Sequence, residues 1–311
     1  MRPASFTHGG SAAMARILLA THGGPSAEGA AYVAARLSAR LGRPLDAVLV
    51  LEPPPVVDAG FGPLFLPSAL QDRELERRMR ADALAQLELC GAGDCAPETL
   101  VGAPAPGIAD RARARGAELI VVGLGPHHLA DRLMGGETAL RLAQTATTPV
   151  LAVPADASAA PRRVVAATDF SLTSLRAARI AASWLQPGDS LTLVSVVPGG
   201  SAGAAAVDAA ARLAESAAGL GAPAGVRVDW TVRYGDSARA LVDFARHSRA
   251  DLITLGSHGY GPWKRLTVGS VAAAVLRVAS CAVLVVPARC GTAAAGEAEG
   301  THEAAAATAT A

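Results

Sequence analysis

A repetition constrains this chain more than any other feature of its sequence. Residues Ala117-Glu-Leu-Ile-Val-Val-Gly123 through Pro149-Val-Leu-Ala-Val-Pro154 lie over Ala250-Asp-Leu-Ile-Thr-Leu-Gly256 through Ala282-Val-Leu-Val-Val-Pro287 without a gap. The offset is a constant 133 residues and roughly a third of the positions are identical. A gapless match of that length marks one structural unit written twice. Each copy opens alike, with Ile17-Leu-Leu-Ala-Thr21 in the first and Val164-Val-Ala-Ala-Thr168 in the second. The expected organisation is a tail at 1–14, a first copy at 15–154, a linker at 155–161 built from an Ala/Ser run and Pro161, and a second copy at 162–287. A tail of Ala, Gly, Thr and Glu at 288–311 lacks periodicity and is expected to be disordered.

Within each copy apolar runs of strand length alternate with segments of helical period. Strands are expected near 15–21, 45–51, 98–102, 118–123 and 149–153, and in the second copy near 162–168, 190–197, 226–233, 251–256 and 282–286. Helices are expected near 26–41, 71–90, 104–115 and 136–146. Val33, Leu37 and Leu41 share a helix face that Gly42 terminates; Ser171 reads as an N-cap before Leu172, Leu175, Ala178 and Ala182, with Pro187-Gly188 ending that helix. Alternation of this kind implies right-handed crossovers and a parallel sheet covered on both faces, an α/β fold.

The chemistry concentrates after the fourth strand of the second copy. Gly256, Gly259, Gly269 and Ser270 read G-x2-G-x9-G-S, placed as strand, glycine-bearing loop and helix, the helix starting Ser270-Val271. Gly256 is expected to allow a sharp turn, Gly259 a close backbone approach, and Gly269-Ser270 an unobstructed helix N-terminus whose unpaired N–H groups suit phosphate.

This motif resembles the nucleotide-binding signature of the universal stress protein family, in its ATP-binding branch. The resemblance covers about 15–154 and 162–287 and implies, for each copy, a Rossmann-like five-stranded sheet ordered 3-2-1-4-5. It implies an adenine nucleotide, ATP, AMP or ADP, with Mg2+ an optional companion. It also implies that Asp169, at the end of strand one, contacts the nucleoside, and that Val196, at the end of strand two, offers backbone hydrogen bonds to the base. Ligands of open parallel sheets bind at such a switch point. Function is then regulatory, a stress-response module without dedicated catalysis, any ATP hydrolysis being slow and incidental. The fifth strands, Val150–Val153 and Val283–Val286, are edges in that order and are expected to join the copies as an intrachain pseudo-dimer, a homodimer being a further possibility.

In the first copy His22 stands in place of Asp169, Pro126 in place of Gly259 and Glu137 in place of Ser270. Glutamate there would fill the anion site with its own charge, so the first site reads as defunct. His22 with His127 or His128 is a minor candidate for metal binding. Two rival functions stand beside the main one. Gly199-Gly-Ser201-Ala-Gly203 fits G-x-S-x-G, which with a downstream Asp and His258 would make a serine hydrolase; an interaction protein with a vestigial nucleotide site is the other.

A formal charge of +1 argues against nucleic acid as the main partner. Arg73, Arg77, Arg78 and Arg80 alternate with Asp72, Glu74 and Glu76 and read as a solvated helix face. No apolar run approaches the ~18 residues of a membrane span. Cys90, Cys95, Cys281 and Cys290 form no CxxC pair and read as free thiols of a cytoplasmic protein. Nothing before Met14, itself a candidate start, reads as an export signal.

Overall fold

The computed structural model describes residues 15–52, 57–58, 63–64, 69–124, 136–199, 203–257 and 269–288. The first copy runs β1 (Arg16–Ala20), α1 (Glu28–Leu41), β2 (Leu45–Leu51), a short antiparallel pair β3 (Val57–Asp58) and β4 (Pro63–Leu64), α2 (Ala69–Leu89), β5 (Glu98–Val101), α3 (Pro104–Arg115), β6 (Ala117–Leu124), α4 (Gly136–Thr145) and β7 (Val150–Pro154). The second runs β8 (Arg163–Ala167), α5 (Leu172–Ala182), β9 (Ser190–Val197), α6 (Ala204–Ala218), β10 (Arg227–Tyr234), α7 (Ser237–His247), β11 (Leu252–Gly256), α8 (Ser270–Val278) and β12 (Ala282–Val286). The pair β3–β4 lies between β2 and α2, where the sequence pattern predicts no strand.

The main strands form a single ten-stranded sheet ordered β10-β9-β8-β11-β12-β7-β6-β1-β2-β5. Each half is parallel and ordered 3-2-1-4-5, as the family resemblance implied, and the halves meet where β12 pairs antiparallel with β7. The fifth strands are therefore central, and β5 and β10 are the edges.

Alternation along the strands sends neighbouring residues to opposite faces. Ile17 and Leu19 join one buried cluster with α1, α2, α5 and α6, while Leu18 joins the other with α3, α4, α7 and α8. Each cluster contains residues of both copies, so the apolar layer crosses the seam without a break. Arg40 of α1 reinforces the junction: its guanidinium donates to the carbonyls of Pro161 and Trp184 and lies 3.6 Å from the buried carboxylate of Asp189.

Helix α1 buries Val33 and Leu37 and stops at Gly42, whose φ of 62° lies in the left-handed region that glycine tolerates. For α5 the expected face needs correction. Ser171 is the N-cap, accepting from the Ser174 N–H, but Leu172 is 87% exposed and the buried stripe is Ser174, Ala177, Ala178, Ala181 and Ala182. Small residues win that face because the helix lies close against the sheet at Gly256. The helix also ends at Ala182, with Trp184 and Leu185 buried beyond it, before Pro187-Gly188 is reached.

Candidate functional site

In the second copy β8 lies beside both β9 and β11, so the switch point opens between the ends of β8 and β11. Asp169 lies two residues past the end of β8. One of its carboxylate oxygens, Oδ1, accepts from the Ser171 N–H at 3.1 Å and the Ser174 hydroxyl at 2.9 Å, so the first turn of α5 orients it. The next residue, Phe170, has a φ of 63°, unusual for a bulky side chain; its N–H donates to Thr168 Oγ1 at 2.9 Å and its ring carries the guanidinium of Arg212 at 4.0 Å. Such strain persists only where the surroundings impose it, and it tends to collect at functional sites. Thr168, Phe170 and Ser174 escape sequence reasoning because nothing in their local pattern announces a turn contact.

Val196 offers its backbone toward the same opening. The carbonyl of Val194 accepts from the Thr168 N–H at 2.8 Å, so residue 194 faces β8, and residue 197 faces the other way, accepting from Gly235 at 3.1 Å. By the two-residue period, the polar backbone groups of Val196 point toward β8's side, just past the end of that strand.

Gly256 ends β11 and is glycine for a reason other than the expected turn. It is not among the positive-φ glycines, and a Cβ there would lie 3.0 Å from the Ser174 backbone nitrogen and 3.1 Å from the Thr173 side chain. Close packing of α5 is what requires it. Ser257 then anchors the loop: its N–H donates to the Val286 carbonyl at 2.8 Å and its carbonyl accepts from the Gly269 N–H at 2.6 Å. Both ends of the spacer are thereby pinned at one point. Gly269 is the N-cap of α8, no side chain caps it, and Ser270 and Val271 open the helix. The N–H groups of that first turn have no intrahelical acceptor. Gly259, Lys264, Arg265 and His258 lie in the spacer, outside the described residues, as do Ser201, Pro126, His127, His128 and Cys290.

The first copy reproduces the frame with other chemistry. Gly23, with a φ of 76°, takes Phe170's place and donates to Thr21 Oγ1, as Phe170 does to Thr168; Gly123 matches Gly256, and a Cβ on it would meet the Ser26 carbonyl at 2.6 Å. A cavity of about 710 Å3 opens here. Its lining includes His22, Val50, Gly123 and Thr138, the counterparts of Asp169, Val196, Gly256 and Val271. Glu137 does not fill an anion site, since its carboxylate accepts from Arg141 Nε one turn along α4 at 2.9 Å. Both ring nitrogens of His22 are engaged, Nδ1 with the Gly24 N–H at 2.8 Å and Nε2 with Ser26 Oγ at 2.9 Å. Among the described residues no cluster of three His, Cys, Asp or Glu has metal-binding geometry.

The arginine-rich start of α2 behaves as expected, with Arg77 and Arg78 on Glu74 at 2.6 and 2.8 Å in solvent. Cys90, Cys95 and Cys281 are free thiols; burial pushes Cys95 and Cys281 up to about 11. No helix among the described residues is long and apolar enough to cross a membrane.

Two stretches of the chain, 14–154 and 161–287, match the model of the universal stress protein family. The chain belongs to the universal stress protein family. A universal stress protein of Methanocaldococcus jannaschii is 40% identical over 62 residues, 20% of this chain and 36% of that one. One of Synechocystis is 36% identical over 62 residues, 20% of this chain and 40% of that one. The match thus spans well under half the length of these curated relatives. Among solved structures, a universal stress protein from Archaeoglobus fulgidus superposes with a TM-score of 0.63 at 16% identity, covering 88% of this chain and 96% of that one. The likeness shows that the tandem fold recurs among universal stress proteins.

Proposed function

We propose that this tandem universal stress protein is a regulatory module whose second copy holds one adenine nucleotide, ATP, ADP or AMP. The observation that carries the reading is the convergence of counterparts on a single cavity in the first copy. Positions 22, 50, 123 and 138 all line it, which supports a matching arrangement of Asp169, Val196, Gly256 and Val271 in the second copy. There Asp169 would meet the ribose hydroxyls or the adenine amino group, and Val196 would pair its backbone with the base edge. The uncapped start of α8, at Gly269, Ser270 and Val271, suits phosphate, with Gly259 and any Mg2+ completing the loop side. Nucleotide acts through conformation or partner affinity rather than turnover, and the paired copies serve as an intrachain pseudo-dimer.

Calorimetry with ATP on the full chain, with mass spectrometry of ligand retained through purification, tests this. One equivalent of adenine nucleotide, weakened by Asp169→Ala, is expected. Two equal sites, or no saturable binding of ATP, ADP or AMP, would overturn the proposal.

A further inference from the structure

We propose that the cavity of the first copy binds a neutral amphipathic small molecule, with an apolar body and one oxygen that accepts a hydrogen bond from Ser26. This site is separate from the nucleotide site proposed for the second copy and does not depend on it.

The volume of about 710 Å3 lies within the range of small-molecule pockets. Val48, Val50, Met79, Val101, Ile108 and Val122 wall it with hydrocarbon. Two large apolar side chains of the lining also reach solvent, Leu75 at 54% and Val101 at 76% exposure, which gives the pocket an apolar entrance. Unassigned apolar surface around a cavity is the signature of a ligand with hydrocarbon to bury.

The polar equipment is specific. Gly24 donates its N–H to Nδ1 of His22, so that nitrogen carries a lone pair and the proton sits on Nε2. Nε2–H then donates to Ser26 Oγ, which leaves the Ser26 hydroxyl proton without an acceptor among the described residues. Ser26 lines the cavity. The relay presents one hydroxyl donor, and hydrogen bonds to α2 tie down the loop that builds it. Thr21 Oγ1 donates to Gln86 of α2 at 2.8 Å, Gln86 reaches the Gly24 carbonyl at 3.3 Å, and a Cβ on Gly24 would strike the His22 ring at 2.6 Å.

Charge selects against an anion. The lining carries the carboxylates Glu52 and Glu76 against the single guanidinium of Arg73. A triphosphate would meet net negative charge; a ketone, ester or alcohol would not.

The test uses the full chain and Nile red, a neutral fluorophore with a carbonyl. Saturable, blue-shifted binding of one dye per chain, not displaced by excess ATP and intact in Asp169→Ala, is expected. Met79→Trp should fill the cavity and weaken the dye at least about tenfold, as befits lost apolar volume. Methyl heptyl ketone and n-nonane then compete against the dye. Ser26→Ala should weaken the ketone about fivefold, the usual worth of one neutral hydrogen bond, and leave the alkane unchanged, with Ser26→Thr restoring the ketone. Absence of saturable dye binding, displacement by ATP, or equal losses for ketone and alkane would overturn the proposal.

Discussion

Leu151 and Leu284 lie opposite each other in the antiparallel ladder between β7 and β12, both fully buried, at the seam where two parallel half-sheets become one. The pairing removes two apolar edges and continues both core layers from one copy into the other. A protease site introduced after Ser158, on the exposed linker, should therefore cut the chain without separating it. We expect both fragments to co-elute on gel filtration; independent elution would show that the seam does not hold the copies.

Arg40 ties α1 to the second copy through two carbonyls and the buried Asp189. Arg40→Ala should cost about 1–3 kcal/mol, the range for losing charged hydrogen bonds, because Asp189 keeps Arg162 and the Gln186 N–H as partners. Urea denaturation of Arg40→Ala and Arg40→Lys checks this, with Lys recovering only part of the loss.

The two matching glycines should respond unequally to alanine. At Gly123 a methyl would meet the Ser26 carbonyl at 2.6 Å, whereas at Gly256 its nearest neighbour is a backbone nitrogen at 3.0 Å. Gly123→Ala is expected to lower the unfolding free energy measured in urea by about 1–3 kcal/mol, and Gly256→Ala by less. The reverse order would contradict the packing described here.

Ser270→Glu should weaken ATP about 5- to 150-fold, equivalent to roughly 1–3 kcal/mol for an unmade charged hydrogen bond. The exchange Glu137→Ser should create no second nucleotide equivalent, since His22 still stands where the second copy has Asp169. Calorimetric stoichiometry on both variants decides.

Alkaline pH should loosen the fold through its buried thiols. Burial raises Cys281 from the ordinary thiol range to about 11, so the folded state keeps a proton that the unfolded chain gives up nearer 9. Stability from this group is complete below pH 9, falls between pH 9 and 11, and is lost above; about 3 kcal/mol is at stake. Cys281→Ala should flatten that part of the profile in thermal melts.

Much of this was legible in the residues themselves. The gapless repeat, the short β-rich runs and the glycine stops carried the fold, because strand and helix periods are local properties of a chain. The strand order came instead from the family resemblance, and the assignment of Asp169, Val196, Gly256, Gly259, Gly269, Ser270 and Val271 to a nucleotide still awaits its experiment. What only the tertiary structure decided were relations between segments far apart in sequence. Leu172 satisfies a helical apolar pattern yet faces solvent, since the space left between α5 and β11 admits only small side chains. Gly256 serves packing against Thr173 and Ser174, which no local reading of the motif reveals. The cavity behind His22 is walled by β2, β5, β6, α2 and α3, and its volume is a property of how they pack rather than of any one of them. Sequence pattern specifies which face of an element is apolar; the distance to the facing element, and hence whether a residue, a void or a ligand fits between, is set only when the chain has closed on itself.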